Sequence, residues 1–226
     1  MSTAKRVARF VPMLKIWGRK TSINVQKVMW TVGELGLPHE RLDFGGEFGG
    51  LDTPEYGALN PNRLVPTIND KGLVLWESNA IVRHLAQTYG RGTLSPADEP
   101  TYAKADSWMD WSLTTLYSDI ILTCFIQLVR VSARERNHAA VEAAAKRAGE
   151  RLAVLDQQLQ GRPFIIGNQL SIADIAVGAL MYRYFNLRIP RPALPNVERW
   201  YTGLTQRPAY QTHVMVDFAP MMVPDA

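Results

Sequence analysis

The residues with the most chemical content are Asn60-Pro61-Asn62-Arg63-Leu64-Val65-Pro66-Thr67-Ile68 and, nine residues later, Glu77-Ser78-Asn79-Ala80-Ile81. Proline cannot donate to a sheet ladder, so Val65-Pro66 belongs at a strand start or edge. A cis bond there would turn the Val65 main chain outward and leave its N–H and C=O free for a ligand. Glu77-Ser78 offers a carboxylate, a hydroxyl and the bare N–H groups of a helix start to the same ligand. A strand edge beside a helix start can hold something peptide-like that carries both an amine and a carboxylate.

The elements that must position these groups follow from periodicity. Met13-Leu14-Lys15-Ile16-Trp17 reads as a short strand. Val25, Val28, Met29 and Val32 then recur at helical spacing, and Gly36 with Pro38 stops that helix. A second strand is expected at 39–44, followed by a loop carrying Gly45, Gly46, Gly49 and Gly50. Strands at 65–69 and 73–77 flank the hairpin turn Asp70-Lys71-Gly72. A helix over 80–89 presents Ile81, Leu85 and Tyr89 on one face and ends at Gly90. The order is βαβ followed by ββα, a mixed sheet of about 80 residues.

Beyond Gly90 the character changes. Residues 92–100, with Ser95-Pro96 and Glu99-Pro100, read as a linker, and everything after them as helix. Long amphipathic stretches cover 101–131 and 139–160, the second with Glu142 and Lys146 as a supporting pair. Ser171-Ile172-Ala173-Asp174 reads as a capping box, with Leu170 and Ile175 as its hydrophobic staple, and 196–206 is a last helix stopped by Arg207-Pro208. The expected fold class is therefore α/β plus all-α. Residues 1–12 form an N-terminal extension, 13–90 the sheet domain, 91–100 the linker and 101–226 the helical domain.

Composition narrows the function. The 226 residues suffice for one large or two modest domains, and no apolar run approaches the roughly 18 needed to cross a bilayer. Lys5, Arg6 and Arg9 are not followed by an apolar core, which argues against a secretory signal. A net charge of +4 from scattered basic residues favours small anionic ligands over nucleic acid. One cysteine, Cys124, excludes both a disulfide framework and a paired-cysteine redox site, and suits a reducing, cytoplasmic compartment. His39, His84, His138 and His213 lack metal-ligand spacing, so no metal is expected.

Taken together, Val65-Pro66, Glu77-Ser78, the βαβ-ββα order, the helical second domain and the Ser171 box resemble the cytosolic glutathione transferases over about residues 13 to 210. The run Ser22-Ile23-Asn24-Val25-Gln26-Lys27-Val28 is similar to the bacterial serine/asparagine-type members, near the theta and nu classes. The resemblance implies a thioredoxin-like first domain that binds glutathione, a second domain that supplies most of the pocket for an electrophile, and a homodimer. It implies that Ser22 faces the glutathione sulfur with Asn24 near it. Ser22, or its neighbour Thr21, is also placed to cap the first helix, and the two readings are compatible. Val65 would pair through its main chain with the cysteinyl unit, with Pro66 cis. Glu77 would take the γ-glutamyl amine, and Ser78 the γ-glutamyl carboxylate.

Other positions carry two readings each. Arg63 stands where family members often have glycine, and would either reach the glycyl carboxylate or lie exposed. Asp110, within Trp108-Met109-Asp110-Trp111, would either reach a partner subunit's γ-glutamyl amine or be a surface acid. Trp17, Trp111 and Tyr117 are candidates for the electrophile pocket or for plain core. Asp174 is a folding residue, and Cys124 a packed thiol. The implied activity is conjugation of the glutathione thiolate to small hydrophobic electrophiles, as in detoxification. A glutathione-dependent disulfide or peroxide reductase, a lyase or isomerase, and a non-catalytic binding module are the alternatives.

Overall fold

The computed structural model describes residues 13–224; the expected extension 1–12 lies outside them. Four strands form one mixed sheet in the order β2-β1-β3-β4, with β1 Leu14–Trp17, β2 His39–Leu42, β3 Thr67–Asp70 and β4 Leu73–Trp76. β1 runs parallel to β2 and antiparallel to β3, and β3 antiparallel to β4. Leu14 and Ile16 of β1 and Ile68 of β3 are buried, and they meet the apolar stripe of α1 Ile23–Glu34. The β3–β4 turn places Lys71 and Gly72 at φ 54° and 96°, the two positive values of the tightest hairpin turn. Asn69 Oδ1 accepts the Gly72 N–H at 2.8 Å.

A short helix, α2 Pro54–Leu59, interrupts the stretch expected to be loop. Its start has an ordinary signature: Thr53 Oγ1 accepts the Tyr56 N–H at 3.2 Å, Pro54 opens the helix, and Glu55 sits in its first turn. The strands are also shorter than expected, because pairing begins at Thr67, two residues beyond Val65, and β2 stops at Leu42. α3 Ser78–Tyr89 completes the sheet domain.

The helical half starts with α4 Glu99–Trp111, inside the expected linker, where Asp98 Oδ1 caps the Thr101 N–H at 2.9 Å. The single long helix expected over 101–131 does not form as such. After Trp111 the chain winds as π-helix over Ser112–Leu116 and Ser118–Arg130, and Tyr117 N–H reaches back to Ser112 O. The axis bends by 43° between the two halves, and no single helix among the described residues is long and apolar enough to cross a membrane. α5 His138–Gln158 follows, locked to the π-wound stretch by Asp119, which is 2% exposed and pairs with Arg147 at 2.8 Å and with Arg151. Lys146 pairs forward with Glu150 at 4.0 Å and not back with Glu142.

α6 Ile172–Asn186 is the buried spine of this half. Asp174 does more than close a cap. Its carboxylate accepts from the Ser171 N–H and O–H, the Ile165 N–H and Trp200 Nε1–H, all at 2.9 Å, so it ties α6 to the preceding loop and to α7 Pro195–Thr205. Arg207-Pro208 does end α7, but Pro208 then opens a further helix, α8 Pro208–His213. α8 returns to the sheet domain: Tyr210 meets Trp30 edge-to-face at 4.7 Å, and Arg207 pairs with Glu34 at 2.6 Å.

Candidate glutathione site

The exposed main-chain edge is built by α2. Tyr56 OH donates to Leu64 O at 2.6 Å and sits 2.9 Å from Thr67 Oγ1, while Asn60 Nδ2 donates to the same two oxygens at 2.8 and 3.1 Å. These bonds clamp the residues on both sides of Val65-Pro66, whose peptide bond is cis. The Val65 N–H and C=O are hydrogen-bonded to no protein group among the described residues. Gly18 lets this edge approach the start of α1, since a Cβ there would fall 2.4 Å from Val25 Cγ2 and 3.3 Å from Val65 Cβ.

At the head of α1, Ser22 occupies the N-cap position with extended φ and ψ, but its hydroxyl accepts no capping hydrogen bond. A half-buried hydroxyl and the unpaired first N–H groups of the helix are thus left together, a combination that favours an anion. Asn24, one residue inside the helix, lies between two elements: its Nδ2 is 3.5 Å from Tyr117 OH, and its Oδ1 accepts from Ser78 Oγ at 3.3 Å. Burial pushes the Tyr117 phenol up, with the Asn24 bond and the Arg183 charge opposing, so it remains a neutral hydroxyl that accepts from Asn24.

Glu77 and Ser78 open α3. Glu77 is exposed, at φ 68° and ψ 112°, and its side chain caps nothing. A non-glycine residue held there costs on the order of 1–3 kcal/mol, a pattern that concentrates at ligand sites. Ser78 is buried and its hydroxyl is held from below by Lys27 Nζ at 3.1 Å. Lys27 Nζ also donates to Asn79 Oδ1 at 2.7 Å, and Asn79 Nδ2 reaches across to Met109 O at 2.8 Å. Burial pushes the Lys27 ammonium down to about 7, Glu77 opposing the fall and Arg83 adding to it. One polar chain, Tyr117–Asn24–Ser78–Lys27–Asn79–Met109, therefore runs beneath the site and joins the two halves.

Other expected residues lie apart from this chain. Arg63, at φ 53°, gives its Nη1 to Leu51 O at 2.9 Å and Thr53 O at 3.0 Å, bracing the entry to α2. Asp110 is exposed and shares Arg83 with Asp106, at 2.5 Å on its own side. Trp111 packs edge-to-face on Trp108 at 4.8 Å. Trp17 ends β1 opposite Leu42 and Thr67, and by strand alternation faces away from the buried Ile16 side. Cys124 is buried, and burial pushes its thiol up to about 11, so it stays protonated.

Sequence reading passed over Lys27, Asn79 and Arg183. Lys27 sits among Val25, Val28 and Met29 on a helix face that is otherwise core, and Arg183 is a lone cation near the end of an apolar helix. A basic residue inside an apolar stripe was the available signal. Arg183 Nη2 donates to Thr21 O at 2.7 Å, directly before Ser22.

This arrangement is that of a thioredoxin-like domain with an open main-chain edge beside two helix starts, backed by a helical domain. Residues 21–88 match the N-terminal domain of glutathione S-transferase, and residues 109–208 the C-terminal domain. The chain is 40% identical over 206 residues to glutathione S-transferase GstB of Escherichia coli, covering 90% of this chain and 99% of that one. Glutathione S-transferase 3 of Zea mays is 32% identical over 208 residues, covering 89% and 93%. Among solved structures, the theta class glutathione S-transferase of Xanthomonas axonopodis pv. citri with glutathione bound superposes with a TM-score of 0.86 at 43% identity, covering 92% of this chain and 99% of that one. The chain belongs to the cytosolic glutathione S-transferase family.

Proposed function

We propose that this protein binds glutathione along the Val65 edge and the head of α3, and conjugates its ionised sulfur to a small electrophile. The Val65 N–H and C=O would pair with the cysteinyl unit, Glu77 would take the γ-glutamyl ammonium, and Ser78 would take the γ-glutamyl carboxylate through its hydroxyl and N–H. The sulfur would then lie at the head of α1. A thiol with a pKa near 8.5 is only about 3% ionised at neutral pH, and lowering it by about two units needs roughly 2.7 kcal/mol of preference for the anion. A hydroxyl donating to sulfur and the N-terminus of α1 both act in that direction. The observation that carries the reading is the Ser22 hydroxyl, which stands at the cap and caps nothing.

Around that site, Asn24 would orient Ser78 and the sulfur, while Trp111 and Tyr117 would line the electrophile pocket, with Trp17 at its margin. Arg63 and Asp110 are held by Leu51, Thr53 and Arg83, so contact with the glycyl end or with a partner subunit's glutathione would require them to leave or share those partners. A cytoplasmic homodimer with a detoxifying role, divided near residues 91–100, is proposed on the family relationship. Titration calorimetry with glutathione, followed by parallel assays of chloronitrobenzene conjugation and disulfide reduction, tests the reading. No heat at millimolar glutathione would remove it, and disulfide reduction without conjugation would replace transfer by the reductase alternative.

A further inference from the structure

Arg183 is a buried cation with no acid beside it. It is 4% exposed, and among the described residues no carboxylate lies within ion-pair distance of it. Its protein partners are the Thr21 carbonyl at 2.7 Å and the face of Phe125, 4.1 Å from the guanidinium carbon. Among the described residues its remaining N–H groups have no acceptor, yet they are not sealed off: the fully buried side-chain atoms there without a partner are the hydroxyls of Ser95 and Tyr184. The charges that act on it are unhelpful. Burial first, then Arg19 and Arg130, depress its pKa to about 10, and only Tyr117 opposes them.

A buried guanidinium is expensive unless an anion meets it. Here the described residues supply none, and the guanidinium reaches Thr21 through Nη2, one residue before the hydroxyl assigned to the sulfur. A second substrate carrying its own negative charge would complete the pair. It would also arrive beside a thiolate, and a cation between the two anions offsets their repulsion. The guanidinium fork matches a carboxylate or sulfonate in shape.

We propose that the second-substrate pocket of this enzyme selects electrophiles that bear a carboxylate or sulfonate on the same aromatic ring as the reacting carbon, with Arg183 as the residue that grips the anion. This rests on the glutathione transferase reading above. In the reaction the thiolate sulfur forms a bond to the ring carbon, the carbon–chlorine bond breaks, chloride leaves with the electron pair, and the carboxylate is unchanged.

The test compares 4-chloro-3-nitrobenzoate with its methyl ester, in the wild type and in Arg183→Gln and Arg183→Lys. In Arg183→Gln, kcat/KM for the acid is expected to fall about 10- to 100-fold, the range of one charge-assisted hydrogen bond. The ester should change less than about threefold, and Arg183→Lys should restore part of the acid activity. Equal losses on acid and ester would make Arg183 a brace for Thr21 and overturn the inference. A loss of glutathione affinity by calorimetry would do the same, since it would assign the guanidinium to glutathione itself. In the wild type alone, unreactive 3-nitrobenzoate should compete with the ester about tenfold more tightly than 3-nitrobenzamide, and equal competition would also overturn it. Wild type that turns over the ester but is inhibited equally by 3-nitrobenzoate and 3-nitrobenzamide sinks this inference and leaves the transferase standing. Wild type that neither binds glutathione nor turns over the ester sinks both.

Discussion

The Lys27 ammonium reaches Ser78 Oγ at 3.1 Å from inside the core, where Lys27 is 1% exposed. The serine that would receive the γ-glutamyl carboxylate is therefore aimed by a lysine that never meets the ligand. Replacing Lys27 by Met keeps the volume and removes the donor. Glutathione affinity is expected to fall about tenfold, the value of one fixed hydrogen bond to a charged group, by calorimetry at neutral pH.

The same lysine gives a pH signature. Its pKa is pushed down to about 7 in the folded protein from 10.5, so the unfolded chain binds that proton more tightly. Its contribution to stability is present above about pH 10.5 and is lost as the pH falls through about 7. Urea midpoints should therefore rise from about pH 7 to pH 10 in the wild type and rise less in Lys27→Met. Parallel slopes would assign the titration elsewhere.

Ser22→Ala separates a cap from a ligand group. Removing a working N-cap costs about 1 kcal/mol, but this hydroxyl caps nothing. The denaturation midpoint should stay within about 0.5 kcal/mol of wild type. Conjugation and the ultraviolet absorbance of bound thiolate should fall about 10- to 100-fold. A destabilised but fully active variant would return Ser22 to the role of a cap.

Asp174 titrates in the opposite sense. Burial raises its pKa to about 6, against four hydrogen bonds that favour the anion. The folded state takes up this proton before the unfolded chain does, so its contribution is full below about pH 4 and is lost as the pH rises through about 6. Asp174→Asn should flatten the stability profile between those values. Asp174→Ala leaves the donors of Ile165, Ser171 and Trp200 unanswered and should cost about 3 kcal/mol or more by urea denaturation.

Gly178 tests the seam between the halves. A Cβ there would lie 2.7 Å from Leu204 Cδ1 and 3.0 Å from Trp30 Cη2. Gly178→Ala should lower stability by about 1–3 kcal/mol through overpacking, measured as a shift in the urea midpoint, although alanine is the better helix former.

The βαβ-ββα order of elements and the β3–β4 hairpin are legible because periodicity and turn residues are local signals, whereas the cis Val65-Pro66 bond is expected only through the family resemblance, since proline alone does not fix the isomer. α2 was signalled by Thr53-Pro54-Glu55 but masked by the glycines before it. The π-winding around Tyr117 leaves no trace in periodicity; the stretch that carries it packs on α5 and α6, contacts that lie far off in sequence. Lys27 and Arg183 were hidden for another reason. A long basic side chain on a helix is read as solvated until its neighbours are known, and here those neighbours come from α3, from Thr21 and from Phe125.

Cys124 has a practical consequence. Because the chain's sole thiol is sealed in the helical half and held protonated, any thiol-reactive dye that labels the native protein reports a breathing event and not surface chemistry. Labelling rates measured with and without S-methylglutathione, which has no free thiol to consume the dye, would thus read how far occupancy of the sheet domain quiets the helices beside it, without introducing a second cysteine.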